Sequence, residues 1–153
     1  MGAQMLDTHT PTQSAALAAR AIALAAQRTA VLSHYTQVQQ DAALHLYKLV
    51  KRNRDTGGGI RVTKFLLSLY NGDRFQFDLT DFRALDDDAF RAALMVLEMD
   101  ARRRWCEIHV LLNAILGGNA DAGAEFEHWA YDLGLKGRCK KHMLPALPVR
   151  AMQ

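Results

Sequence analysis

Residues 11–54 read PTQSAALAARAIALAAQRTAVLSHYTQVQQDAALHLYKLVKRNR, forty-four positions with no glycine and with proline only at the first. Thr10-Pro11-Thr12-Gln13 has the form of a capping box with proline at the first helical position, so a helix is expected to start there. Its apolar positions fall on alternating steps of four and three: Leu17, Ala21, Leu24, Val31, Tyr35, Val38, Ala42 and Leu49, with Arg28 and His45 as the two interruptions. A continuous helix over this stretch would reach about 65 Å, longer than a domain of this size is wide. A break within residues 29–33 is therefore expected, and homodimerisation through an unbroken N-terminal helix is the competing reading. Lys48, Lys51, Arg52 and Arg54 suit the negative end of the helix dipole, and Gly57-Gly58-Gly59 is read as the stop signal.

Working outward, residues 61–70 carry Phe65, Leu66, Leu69 and Tyr70 at helical spacing, followed by the turn pair Asn71-Gly72. Phe75, Phe77 and Leu79 alternate with polar residues, which predicts a short strand or extended segment. Asp86 is the expected N-cap of a helix with Phe90, Ala93, Leu94 and Leu97 as its apolar face. A further helix has Ile108, Leu111, Leu112 and Ile115 on one side and stops at Gly117-Gly118. Another starts at Asp121, buries Phe126, Trp129, Ala130 and Leu133, and stops at Gly134. The expected fold is thus one mainly α domain over residues 1–153, with a long, broken or continuous N-terminal helix and at most a short β segment near residues 75–79. Residues 1–10 and 146–153 are expected to be loosely held.

The chain has 153 residues, half of them apolar, enough for a core of its own. The apolar run over residues 15–26 is interrupted by Arg20 and mostly alanine, too short and too weakly hydrophobic for a membrane span, so no membrane partner is expected. The N-terminus lacks the pattern of a secretory signal, and two cysteines are too few for a disulfide framework, which together predict a cytoplasmic location. The net charge of +3 hides a sign reversal. Residues 73–100 hold eight of the sixteen carboxylates against Arg74, Arg83 and Arg91, a local net of −5.

That acidic block is the first candidate site. Capping by Asp86, Asp87 and Asp88 and turn formation by Asp73 account for about half of it. Asp78 and Asp81, with the helix-start carboxylates Asp86, Asp87 and Asp88, are the expected contacts for a basic protein or ribonucleoprotein partner. A second candidate is basic: Arg102, Arg103 and Arg104 before Trp105, with Lys140 and Lys141 further on, suit a nucleic-acid backbone with an aromatic ring to stack. A third is a pair of Cys-x-x-His motifs. Cys106 with His109 and Cys139 with His142 have ligand types and spacing that would close around one zinc ion, though two unrelated thiols with nearby histidines give the same pattern. Glu125, His128 and Asp132 share one helix face, which alone is a solvated face rather than a di-iron site. No Walker loop, nucleophile elbow or glycine fingerprint is present, so no catalytic residue and no cofactor is expected.

The segment FLLSLYNGDRFQFDLTDFRALDDDAF over residues 65–90, followed by VLEMD at 96–100 and EIH at 107–109, resembles an uncharacterised family of small proteins from proteobacterial plasmids and integrative elements. The resemblance covers about a third of the chain and implies no catalytic or ligand assignment. Mobile-element proteins of this kind are similar to anti-CRISPR proteins, non-enzymatic inhibitors that cover a nucleic-acid or nuclease-docking surface of a host surveillance complex. The function this implies is inhibition by binding, with nucleic-acid binding or a zinc-stabilised interaction module as alternatives.

Overall fold

The computed structural model describes residues 11–146, all of whose regular structure is helical. The order is α1 (Pro11–Ser33), α2 (Gln37–Asn53), α3 (Gly57–Tyr70), a 3-10 segment (Leu79–Ala84), α4 (Asp87–Arg103), α5 (Ile108–Leu116), α6 (Ala122–Asp132) and two short 3-10 turns, Lys136–Arg138 and Lys141–Ala146. Thr10, the expected cap of α1, and the terminal residues expected to be loose lie outside the described residues, apart from Ala146.

The expected break in the N-terminal helix is present, just beyond residues 29–33. Thr36 ends the ambiguity: its hydroxyl accepts from the Gln39 backbone N–H at 3.3 Å while the Gln39 side chain accepts from the Thr36 N–H at 3.0 Å, a capping box that restarts the chain as α2. The restart also resets the helical phase. The buried face of α2 is Ala42, Ala43, Leu46, Tyr47 and Val50, whereas Val38 and His45 of the expected stripe are exposed.

The three glycines open α3 instead of closing α2. Thr56 caps the new helix by accepting from Gly59 N–H at 3.1 Å. Gly59 packs so tightly under α2 that a Cβ there would sit 1.8 Å from the Asn53 carbonyl oxygen, so the second α-helix can turn directly into the third only because this position has no side chain.

Helices α2 and α3 form the centre, touching α4 and α5, and α3 also packs on α6. Leu46, Val50, Val62, Phe65, Leu66, Phe126 and Trp129 fill the space between them and are almost wholly buried. Alanines carry the α2–α4 contact. Ala42 and Ala43 face a buried side of α4 made of Ala89, Ala92, Ala93, Val96 and Met99, which corrects the expected face: Phe90 and Leu94 point to solvent. Small residues allow two helices to approach closely, so the bulkier residues end up outside. No strand forms among the described residues. Phe75 is buried at a bend, and residues 76–78 lead without regular structure into the 3-10 turn at Leu79, with Asp78 extended.

Helix α1 differs from the rest. Residues 12–30 are exposed along their whole length, and only its last turns meet α5. There Arg28, one of the two interruptions of the apolar stripe, donates from Nε to the Ala114 carbonyl at 2.5 Å and from Nη2 to the Ile115 carbonyl at 3.3 Å. It thereby caps the end of α5, whose final carbonyls have no helical partner. Tyr35, in the hinge, accepts from the Trp105 and Cys106 N–H groups at 3.2 and 3.3 Å and fixes the other end of the α1–α5 contact. Within Thr12–Ser33 an 18-residue stretch has a mean hydropathy of 1.3, so α1 meets by length and composition a threshold for crossing a membrane that core helices of soluble proteins also meet.

Candidate interaction surface

Three of the five carboxylates expected to meet a partner have intramolecular work. Asp78 caps the 3-10 segment, accepting from both the Thr80 N–H and hydroxyl at 2.8 Å, bonds that hold its carboxyl below the usual range. Asp81 lies 3.5 Å from Arg61 Nε and 3.9 Å from Lys64 Nζ. Asp86 is the N-cap of α4, accepting from Ala89 N–H at 2.8 Å. Asp87 and Asp88 stand in the first turn, where the dipole favours them, exposed and with no ion pair among the described residues. Of these five, the carboxylates without an intramolecular partner among the described residues are therefore Asp87 and Asp88, at the start of α4.

From that start α4 runs outward as a ridge. Asp87, Arg91, Leu94 and Glu98, at steps of four, three and four, are all exposed, and Phe90 and Leu94 keep 37% and 43% of their surface in solvent. An open groove of about 440 Å³ flanks one side, walled by Phe65, Phe75, Phe77, Phe82 and Leu97 with Leu79 at its mouth. Its rings contact one another and reach the ridge: Phe65 to Phe82 edge to face at 5.4 Å between centroids, Phe77 to Phe82 tilted at 4.9 Å, and Phe82 edge to face with Phe90 of α4 at 6.0 Å. On the other side a shallower trough of about 340 Å³ between α2 and α4 is lined by Val38, Asp41, His45, Asp88, Arg91 and Met95.

The Cys-x-x-His pairs do not form a shared cluster. Among the described residues no group of three or more His, Cys, Asp or Glu is placed to hold a metal ion. Cys106 precedes α5, where its sulfur lies 3.5 Å from the Tyr35 hydroxyl, and burial pushes its thiol up. Cys139 directs its S–H to the carbonyls of Leu135 and Glu127 at 3.3 and 3.5 Å, and burial raises its thiol too. His109 packs its ring edge-on against Tyr70, while His142 is exposed.

The basic candidates are spread along two elements. Arg102 pairs with Glu98 and Arg104 with Glu107, both at the surface, and Arg103 is exposed. Trp105 stacks on His34 at 3.9 Å between ring centroids, only 12° from parallel, with 63% of its surface still exposed. Lys140 and Lys141 belong to the C-terminal segment, and Lys140 uses its backbone N–H internally.

That bond leads to the polar centre the sequence did not disclose. Glu127 is completely buried, yet its carboxylate accepts from Arg74 at 2.6 and 3.0 Å, from the Tyr70 hydroxyl at 2.9 Å and from Lys140 N–H at 2.8 Å. Burial would push the carboxyl up, but these donors together hold it below the usual range, while burial and the neighbouring carboxylate push the Tyr70 hydroxyl up to about 12. Arg74 also donates to the Arg138 carbonyl, and Arg138 returns a bond to the Arg74 carbonyl, so one ion pair ties residues 138–140 to the body. The available signal was Glu127 itself, a carboxylate between Gly123 and Ala130 on the apolar side of α6. The face shared by Glu125 and Asp132 is not simply solvated: Lys51 binds Glu125 at 2.8 Å and Arg54 binds Asp132 at 3.0 Å, joining α6 to the end of α2.

A helical body with an exposed, mixed-polarity ridge between two open grooves defines the class by shape alone. The chain belongs to the DUF7673 family of unknown function, whose model matches residues 40–130. The match runs from within α2 to within α6, taking in the ridge, the groove at Leu79 and all of the trough lining except Val38, and leaves out α1 and the C-terminal turns. No curated protein and no solved structure matches the chain.

Proposed function

We propose that this protein works by binding, without catalysis, and that the α4 ridge is the contact face for a protein or ribonucleoprotein complex of the host, acting there as an inhibitor. The observation that carries the reading is the exposure of Phe90 and Leu94 between carboxylates, on a helix with an open groove on each flank. Apolar anchors inside a polar surround are the usual composition of a protein contact, and the unpaired Asp87 and Asp88 would speed encounter with a basic partner. A host complex that handles nucleic acid has such a basic surface, which is why a nucleic-acid-handling or CRISPR-Cas surveillance complex is the target proposed, in the cytoplasm. The inhibitor reading is tested by co-expressing the protein with an active CRISPR-Cas system from its native host and scoring plasmid interference. Loss of interference with wild type and its return with Leu94→Asp is the expected outcome; interference unaffected by the wild type contradicts the CRISPR-Cas target.

A second reading draws on the His34–Trp105 stack, which leaves an aromatic face open beside Arg103. Single-stranded nucleic acid binds by such stacking together with salt-sensitive phosphate contacts. A salt-dependent gel shift abolished by Trp105→Ala supports this reading; no shift at low salt removes it.

A further inference from the structure

The positive charge of this protein is concentrated at one end of the chain. Up to Asp132 there are 14 cations against 16 carboxylates, and after Asp132 there are five cations and no acidic side chain, so the net +3 comes entirely from the C-terminal end. Four of those five, Lys136, Arg138, Lys140 and Lys141, fall within six positions on the two 3-10 turns that follow α6. All four are exposed, and none is in an ion pair among the described residues.

The strap formed by these turns is held mainly by its backbone. Lys140 gives its N–H to the buried Glu127, the Arg138 carbonyl accepts from Arg74, and Leu135 N–H bonds the Ala130 carbonyl. Cys139, between the cations, turns its S–H inward to the Leu135 and Glu127 carbonyls. Of the four cationic side chains only Arg138 makes a hydrogen bond, through Nη1 to the Arg74 carbonyl. Lys136 and Lys140 lie beside aromatic rings, their ammonium groups 4.7 Å from the centroid of Tyr131 and 5.9 Å from that of Tyr70. A buried ion pair thus fixes a segment that points cations outward, which places those charges before any ligand arrives.

The carboxylates of α6 are mostly committed elsewhere. Glu127 serves Arg74, Glu125 serves Lys51 and Tyr47, and Asp132 serves Arg54. Asp121 caps α6, and Asp73 beside Arg74 in the chain is exposed; neither has an ion pair among the described residues. Even with both counted against the four cations, the local balance stays positive.

We propose that this strap binds a nucleic-acid backbone through Lys136, Arg138, Lys140 and Lys141. A protein contact is built round apolar anchors, as on the α4 ridge, but the exposed positions from 136 to 142 carry only Lys, Gly, Arg and His. Such a surface selects by charge, and the ligand of repeating charge that it suits is a chain of phosphates. The planar guanidinium of Arg138 adds a fork for one phosphate. The strap lies on different elements from the Trp105 face, and it does not rest on the ridge as a contact for a host protein. A ribonucleoprotein would meet the ridge through its protein and the strap through its RNA, yet bare nucleic acid suffices for the test.

That test is a fluorescence titration of labelled oligo(U) RNA with the full chain at about 50 mM salt, where phosphate contacts are strong. Wild type is expected to bind, with log K falling against log salt at a slope of about −3, the value for four phosphates neutralised on a single strand. Replacing Lys136, Lys140 and Lys141 together by Ala is expected to weaken binding about tenfold or more. Circular dichroism should not change, because the body holds Lys140 by its backbone N–H. Replacing the exposed Lys48, Arg52 and Arg83 by Ala removes the same charge elsewhere and is expected to change affinity less than about twofold. No binding by wild type overturns the proposal, and so does equal loss in the two triple variants, which would show attraction by overall charge alone. Loss on Trp105→Ala with binding kept by the strap variant overturns it in favour of the Trp105 face. Binding to vesicles of anionic phospholipid without binding to the RNA would assign the strap to a membrane surface and overturn it too.

Discussion

Arg74 Nη2 donates to Glu127 Oε1 at 2.6 Å across 53 positions of sequence, with the Glu127 side chain fully buried and Arg74 largely so. A buried carboxylate left without its cation is strongly unfavourable, so Arg74→Met is expected to cost about 3 kcal/mol. Glu127→Gln, which keeps the shape but loses charge-assisted bonds, is expected to cost less, and urea denaturation of both variants checks the order.

Acid should weaken the fold for the same reason. The folded carboxyl of Glu127 lies below its unfolded value, so its contribution is complete above about pH 4.3 and is lost as pH falls through the lowered folded value. His109 acts in the same sense. Burial lowers its pKa, so its neutral form contributes in full above about pH 6.5 and loses ground below. Stability measured from about pH 7 down to pH 3 should therefore fall in two stages, and Glu127→Gln should flatten the second.

The α2–α3 junction predicts opposite effects at adjacent glycines. Gly59→Ala forces a methyl group against the Asn53 carbonyl and should cost more than about 2 kcal/mol. Gly58→Ala meets nothing within 4 Å and should stabilise by about 0.5 kcal/mol through a stiffer unfolded chain. Thermal melts of the two variants decide the matter.

The clamp on α1 is testable without any partner. Removing Arg28 leaves the Ala114 and Ile115 carbonyls without their donor, and Arg28→Ala should cost about 1–2 kcal/mol. Amide exchange should quicken in both α1 and α3, and by the larger factor in the last turns of α1, which lose their own anchor.

The cysteines are placed for structure. Because Cys106 engages Tyr35 and Cys139 engages backbone carbonyls, zinc or a chelator should leave the melting temperature unchanged within about 1 °C. A chelator-sensitive melt would restore the four-ligand reading of Cys106, His109, Cys139 and His142.

Much of the helix layout was legible, because caps and turns are local. Asp86, Asp121, Asn71-Gly72, Gly117 and Gly134 each mark a boundary by chemistry that acts within a few residues. Thr36 carries the same kind of signal, a capping box with Gln39, but the apolar stripe runs straight through it and masks the boundary. Which face is buried was harder to read. On α4 the larger apolar residues suggested Phe90 and Leu94, but burial follows the closeness of α2, which favours Ala89, Ala92 and Ala93. The candidate surface was half legible. Charge counting picks out the acidic segment, but only tertiary contacts reveal that Asp81 is held by Arg61 and Lys64, while Asp87 and Asp88 have no ion pair among the described residues. The Arg74–Glu127 pair had no local trace beyond one carboxylate on an apolar face.

The most direct measurement of the central claim is quantitative capture from extracts of the native host, comparing wild type, Phe90→Asp with Leu94→Asp, and Arg102→Ala with Arg103→Ala. The account predicts a host protein or complex retained by wild type and by the arginine variant and lost from the ridge variant, with retention weakening as salt rises. Equal retention by the folded ridge variant, or loss only from the arginine variant, would contradict it.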